Sequence, residues 1–291
     1  MSIVNAREIM MVAAKEKYAV GAFNITDLVQ MEAVVDAAVA KKAPLIIQTS
    51  VKPSKFLGIN VLVAIYKTIA ETAPIPICLH LDHCTEIEYC KKCADGGYTN
   101  IMIDASKLPY EENIRQTKEV VDYCHKVGNI SVEGELGTVS GVEDQIKVAE
   151  DETQLANPTQ SVEFVERTGL DIFAPAIGTA HGVYKTKNPK VDFERLGKIN
   201  EMLNGKTIKT PLVVHGGTGL PEDYIKKLIA MGGAKVNVST ELKRTMLDAE
   251  FEYISAHREE YDPGKVDEAV RVAIRNAVGH WIDILGCAGK A

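Results

Sequence analysis

One recurring unit limits the folds open to this chain: an amphipathic helical stretch, a closing glycine, a short β-branched run, then polar residues. KKCADGGYTNIMIDAS, YCHKVGNISVEGE, FVERTGLDIFAPAIG and LIAMGGAKVNVST all follow it. Glycine suits the left-handed position that ends a helix, and the runs that follow have strand length and strand composition. Counting them predicts strands at residues 18–24, 45–50, 75–82, 100–104, 130–135, 171–177, 212–215 and 235–239, each followed by a helix. Strands alternating with helices imply a parallel sheet with right-handed crossovers. Eight such units in 291 residues predict an α/β fold, a single-domain (β/α)8 TIM barrel spanning 1–291 with a C-terminal helical extension. A doubly wound sheet would show fewer units and a glycine-rich fingerprint after the first strand, where this chain has only GAFN.

Charge narrows the function. With 33 Lys+Arg against 40 Asp+Glu, net −7, and no basic block, the surface suits neither nucleic acid nor an anionic membrane. No apolar run has the length of a membrane span. The first residues, interrupted by Arg7, Glu8, Lys15, Glu16 and Lys17, do not make a signal peptide. Six cysteines are expected as reduced thiols, which places the chain in the cytoplasm. His80, His83, Cys84, Cys90 and Cys93 could be read as a zinc knuckle, but the C-x-x-C lacks a second ligand pair of comparable spacing. Core cysteines on a helix after a strand fit better.

In a TIM barrel the chemistry sits at the C-terminal ends of the strands. Those ends carry Asn24, Ser50, Asp82-His83, Asp104, Glu133-x-Glu135, His181, His215 and Asn237-x-Ser239-Thr240. Three imidazoles from separate strands make a facial set for Zn²⁺, so His83, His181 and His215 are the expected ligands. His80, His125, His257 and His280 fall inside a strand or predicted helices, where structural roles suffice. His181-Gly182 and His215-Gly216-Gly217-Thr218-Gly219 set bare backbone amides beside two of these ligands, with Lys185 adding charge. Loops after strands 7 and 8 are a recurrent phosphate site in this fold. A metal beside a phosphate cradle suits carbanion chemistry next to a carbonyl, with a carboxylate moving the proton. The rival, a lysine Schiff base, needs an inward lysine. The strands are expected to offer none, Lys235 falling at the N-terminal end of its strand. Residues 136–159 and 178–188 are expected as long, structureless functional loops.

At these positions the chain resembles the class II, metal-dependent ketose-bisphosphate aldolases, and more closely their fructose/tagatose-bisphosphate branch. YAVGAFN, LHLDHC, NIMIDASKLPYEENI, SVEGELGTVSGVED, AIGTAHGVY, PLVVHGGTGL and KVNVSTELK carry the resemblance nearly end to end. It implies a lyase of carbohydrate metabolism and glycolysis that cleaves a ketose 1,6-bisphosphate reversibly to dihydroxyacetone phosphate and an aldehyde, glyceraldehyde 3-phosphate. By position, His83, His181 and His215 match the zinc ligands, and Asp104 and Glu135 a second divalent site; a monovalent cation is a further expectation. Asp82 matches the group that protonates or hydrogen-bonds the aldehyde oxygen, and Glu143 the C3 proton shuttle on a lid. Asn24, Gly182, Lys185, Gly216, Gly217, Thr218, Asn237, Ser239 and Thr240 match the dihydroxyacetone phosphate site, and Ser50 a contact to the far end of the ketose. A homodimer or homotetramer is implied.

Two departures bear on the substrate. Ser239 stands where fructose-type members carry Asp and tagatose-type members Ala. Gly264 stands where many members place the Arg that clamps the distal phosphate from the neighbouring subunit, with Lys265 beside it; Lys52, Lys55 or Lys243 could compensate. The alternatives are therefore the same chemistry on a ketose 1-phosphate lacking the distal phosphate, such as a deoxy or acid sugar, or a non-catalytic sugar-phosphate sensor. Retention of the proton-transfer groups argues against the sensor.

Overall fold

Eight parallel strands close on themselves in the order β1-β11-β10-β8-β5-β4-β3-β2 of a computed structural model. In chain order they are β1 (Val20–Asn24), β2 (Leu45–Ser50), β3 (Ile77–Cys84), β4 (Asn100–Ile103), β5 (Ser131–Leu136), β8 (Ile172–Pro175), β10 (Leu212–Val214) and β11 (Gly233–Val238). Each overlaps one of the runs read from the sequence. The missing numbers belong to a small sheet over the barrel: β6 (Ser140–Glu143), β7 (Ile146–Val148) and β9 (Ala180–His181). Between the strands run α1 (Ala6–Glu16), α2 (Leu28–Lys41), α3 (Val51–Leu57), α4 (Ile59–Thr72), α5 (Ile87–Gly96), α6 (Tyr110–Val127), α7 (Pro158–Thr168), α8 (Phe193–Asn204), α9 (Glu222–Ala230), α10 (Thr240–Ala256) and α11 (Pro263–Leu285). The structure describes residues 2–143, 146–148, 154–182, 184, 186, 188–207 and 209–291, without the side chains of 142, 143 and 146–148.

Local chemistry sets the element ends. Asn5, Asp27, Asn157 and Asp192 cap α1, α2, α7 and α8 by accepting from backbone N–H groups of the first turn. Of the glycines expected to close helices, Gly97 and Gly169 do so left-handed, at φ 109° and 69°. Gly128 is instead extended at φ 175°, a conformation open to any residue. α1 floors the barrel: Val4 N–H donates to Ile77 O, Asn5 to Asn129 and Arg7 to Lys209 O, which tie it to three different strand starts.

The barrel interior is polar. TIM-barrel cores are usually layers of branched apolar side chains. Here alternation turns Ile47, Leu79, Leu81, Val132 and Val236 out under the helices, all buried. Gln48, His80, Asn100, Ser131, Glu133 and Lys235 turn in, where each is buried and bonded to another strand's side chain. This corrects the expectation about lysine. Lys235 is fully buried, and its Nζ donates to Glu133 Oε2 at 2.9 Å. An ammonium held against a carboxylate is no free amine, so the Schiff-base route gains nothing.

The connection at 136–159 is not structureless. β6 and β7 form an antiparallel hairpin, and β6 also pairs in parallel with β9. β9 offers its edge to β6, and β7 folds back on the other side of β6. At the other end of the chain, α11 packs on α2 and α9 and takes the eighth outer-helix position. α10 is left as the extension: only Leu242 is buried on it, while Leu247, Phe251 and Ile254 are 61%, 72% and 46% exposed along one face. Among the described residues no helix is long and apolar enough to cross a membrane.

Candidate active site

Three histidines from three strand ends meet at the barrel mouth. One ligand atom from each of His83, His181 and His215 lies within 4.8 Å of the others, and His83, Asp104 and Glu135 form a second such group. The first two imidazoles to consider are aimed by carboxylates. His83 Nδ1 is 2.8 Å from Asp104 Oδ2, and Asp104 Oδ1 accepts from the Ser106 hydroxyl and backbone N–H. His215 Nε2 is 2.9 Å from Glu133 Oε1. Their other nitrogens, His83 Nε2 and His215 Nδ1, are buried with no hydrogen-bond partner. A carboxylate on one ring nitrogen and a free lone pair on the other is the arrangement of a metal-ligating histidine.

The charges agree. Among the described residues the only buried carboxylates are Asp82, Asp104, Glu133 and Glu135, and the only buried lysine or arginine is Lys235. With neutral imidazoles that cluster is short of positive charge, which a divalent cation would supply. Burial opposes charge on His83, but Asp82 and Asp104 outweigh it and raise the imidazole well above its ordinary range. Burial and His83 oppose charge on His215, but the carboxylates of Glu133 and Glu135, one beside each ring nitrogen, raise it. Burial likewise pushes Asp104 and Glu133 up, and His83 and Lys235 respectively hold them well below the usual carboxylate range.

Adjacent strand residues normally face opposite sides, yet Asp82 and His83 both serve this site. The end of β3 explains how. Leu81 pairs with Ile101 and Cys84 with Ile103, so three steps on β3 oppose two on β4, and His83 takes φ 46°. This bulge re-aims one side chain at the cost of about 1–3 kcal/mol for a non-glycine left-handed residue. Asp82 is gripped by amides: Asn24 Nδ2 and Gln48 Nε2 donate to Oδ2 at 3.0 and 3.3 Å, and Asn237 Nδ2 to Oδ1 at 3.1 Å. Burial pushes its carboxyl up, but His83, His80 and Lys235 hold it well below the ordinary range.

Beside the histidines a cleft is lined by Asn24, Asp82, His181, Gly182, Gly216, Gly217, Thr218, Asn237, Ser239 and Thr240. Thr218 Oγ1, Asn237 Oδ1 and Ser239 Oγ are buried there without partners. Two loops build it. Tyr184 OH accepts from Ala180 N–H and donates to Gly216 O, stapling the His181 loop to the His215 loop. Gly216 has φ 69°, and a Cβ on it would stand 2.4 Å from Ala180 O. Gly216→Ala is therefore expected to push the His181 loop away and raise the KM for a phosphorylated ketose about tenfold, an effect of about 1.4 kcal/mol. Steady-state kinetics on the folded variant checks it, and an unchanged KM would contradict the close packing.

The cleft and the histidine cluster thus bring together most of the predicted residues. Ser50 pairs with Asp82 in the β2–β3 register but does not line the cleft. Lys185 and the side chain of Glu143 lie outside the described residues. Cys84, Cys90 and Cys93 are buried free thiols and belong to neither group of potential ligands found among the described residues. Of the compensating lysines, Lys55 is paired with Glu86 at 2.7 Å; Lys265, the neighbour of Gly264, is paired with Glu260. Gln48, Tyr184 and the Lys235–Glu133 pair were missed. The period-two polar pattern Q-x-S, S-x-E-x-E, K-x-N-x-S held the signal for all but Tyr184.

The family model for class II fructose-bisphosphate aldolases matches residues 4–290. The chain belongs to the class II fructose-bisphosphate aldolase family. It is 39% identical over 294 residues to a fructose-bisphosphate aldolase of Geobacillus stearothermophilus, covering 100% of this chain and 99% of the relative. It is 36% identical over 311 residues to that of Helicobacter pylori, covering 99% of each. Among solved structures, the YdjI aldolase of Escherichia coli K12 superposes with a TM-score of 0.84 at 30% identity, covering 99% of both chains. Aldolases of this family are lyases, and the histidine-rich group at the barrel mouth fits the metal dependence of the class.

Proposed function

We propose that this aldolase cleaves a ketose 1,6-bisphosphate, of tagatose or fructose type, reversibly to dihydroxyacetone phosphate and glyceraldehyde 3-phosphate, with Zn²⁺ held by His83, His181 and His215. The observation that carries the reading is the pair of unclaimed imidazole lone pairs beside a glycine-rich cleft with three unpartnered polar atoms. A bound divalent cation would supply Lewis-acid polarisation of the ketose carbonyl. The chain's own groups do the rest. Gly182, Gly216, Gly217, Thr218, Ser239 and Thr240 offer amides and hydroxyls to the 1-phosphate, with Lys185 as a point charge; Asn24 and Asn237 orient Asp82. Ionised Asp82 takes the proton of the C4 hydroxyl as the C3–C4 bond breaks, its electron pair moving toward C2, and returns that proton in the condensation direction. Glu143 delivers the proton to C3. Asp104 and Glu135 remain the candidates for a second divalent site, and a monovalent cation near the phosphate completes the expected set.

Six buried free thiols support a reducing, cytoplasmic setting, and the exposed apolar face of α10 supports a homodimer or homotetramer of one-domain chains. One observation favours a second substrate class. Gly264 has no side chain to bind a phosphate, and its N–H is committed to Asp262 Oδ1, while Lys265 is paired with Glu260. A ketose 1-phosphate without the distal phosphate then becomes the competing substrate. Dihydroxyacetone phosphate release from fructose and tagatose 1,6-bisphosphates, compared with their 6-deoxy 1-phosphates, decides between them. The bisphosphates are expected to lead in kcat/KM by at least about tenfold, one charge-assisted contact being worth about 1.5–3 kcal/mol. Equal values would show that the distal phosphate is not read.

A further inference from the structure

We infer that the buried Lys235–Glu133 ion pair is a positioning device for the metal site, fixing the aim of His215 so that Nδ1 faces the cation. The inference rests on reading His215 as a metal ligand. Both members of the pair are fully buried, on β11 and β5, below the rim where the chemistry lies. Such pairs seldom add stability over apolar residues of similar volume, because desolvating two charges offsets their attraction. A barrel interior usually filled by branched side chains had that cheaper option at both positions.

Glu133 divides its oxygens. Oε1 is 2.9 Å from His215 Nε2, and Oε2 accepts from Lys235 Nζ at 2.9 Å. A carboxylate held on Nε2 fixes the orientation of the ring and leaves Nδ1 as the nitrogen turned to the cation. That atom has no hydrogen-bond partner and lies 3.0 Å from Glu135 Oε2, on the side of the proposed cation. Lys235 completes the device. It balances Glu133 and fixes the second oxygen, which would otherwise be free to turn toward His80 Nε2, 3.9 Å away. Lys235 does not line the cleft, so its part is positioning and not chemistry on the substrate.

Metal-stripped protein titrated with Zn²⁺ against a chromophoric chelator, and with Co²⁺ followed by its visible absorption, tests this. Lys235→Met is expected to weaken Zn²⁺ binding about 10–100-fold and to change the Co²⁺ spectrum, as loss of a partner behind a ligand does elsewhere. Because Lys235→Met leaves Glu133 buried and unpaired, the double variant Lys235→Met/Glu133→Gln accompanies it. The double variant is expected to unfold at a temperature near that of the wild type while still binding Zn²⁺ weakly. A pair that only stabilised the barrel would give a folded double variant with wild-type affinity and an unchanged Co²⁺ spectrum, and that result overturns the inference. His215→Ala in the same titration keeps the two readings apart. If it binds Zn²⁺ as tightly as the wild type, the metal assignment of His215 itself has failed.

Discussion

Removing His83 is expected to abolish stoichiometric Zn²⁺ binding and to lower turnover at least about 10³-fold, equivalent to roughly 4 kcal/mol of barrier. Among the described residues, His83 alone belongs to both groups of potential ligands. Its aim is set twice, by the β3 bulge and by Asp104. Its loss leaves Asp104 buried beside one hydroxyl and one N–H with no positive partner, a situation that costs about 3–5 kcal/mol of stability. Alanine is strained at φ 46°, so His83→Asn is the better variant, asparagine tolerating left-handed backbone. Zinc content and dihydroxyacetone phosphate release on the folded variant are the measurements. The same outcome is expected when the wild type is exhaustively chelated, with recovery on adding Zn²⁺. Full activity after chelation would reject the metal reading.

The barrel was legible because its signal is periodic and local. Eight β-branched runs separated by helix-length amphipathic stretches leave few topologies, and all eight pair in parallel. The histidines and glycines were legible for a related reason: strand ends fix which side chains can meet. What was not legible depends on relations across the barrel. Lys235 near the start of its strand looked peripheral, because a one-dimensional reading cannot show that alternation turns it onto Glu133 of another strand. The connection at 136–159 looked structureless because its partner strand is only two residues long and lies in another loop. The β3 bulge gave a faint sign, two adjacent polar residues both needed at one site, but no glycine marked it. Tyr184 gave none, since its bonds run to backbone atoms that any sequence supplies.

Asp82→Asn is expected to lower kcat about 10²–10⁴-fold, the usual contribution of a positioned proton-transfer group, while Zn²⁺ binding stays intact. The separation follows from geometry. Asp82 belongs to neither group of potential ligand atoms, yet it lines the cleft next to His181. Three side-chain amides donate to it, which favours a carboxylate, and their convergence from β1, β2 and β11 leaves it little freedom to turn away. In the proposed reaction that state sets the direction of its work: in cleavage Asp82 accepts a proton, and only the return reaction passes through its acid form. Asparagine keeps the shape but brings a donor to a place already supplied with donors, so a stability loss of about 1–3 kcal/mol accompanies the change. Thermal unfolding separates that loss from the kinetic one. A folded Asp82→Asn protein with wild-type kcat would remove Asp82 from proton transfer, and Asn24 and Gln48 would then be left holding a carboxylate whose only task is to balance the imidazoles.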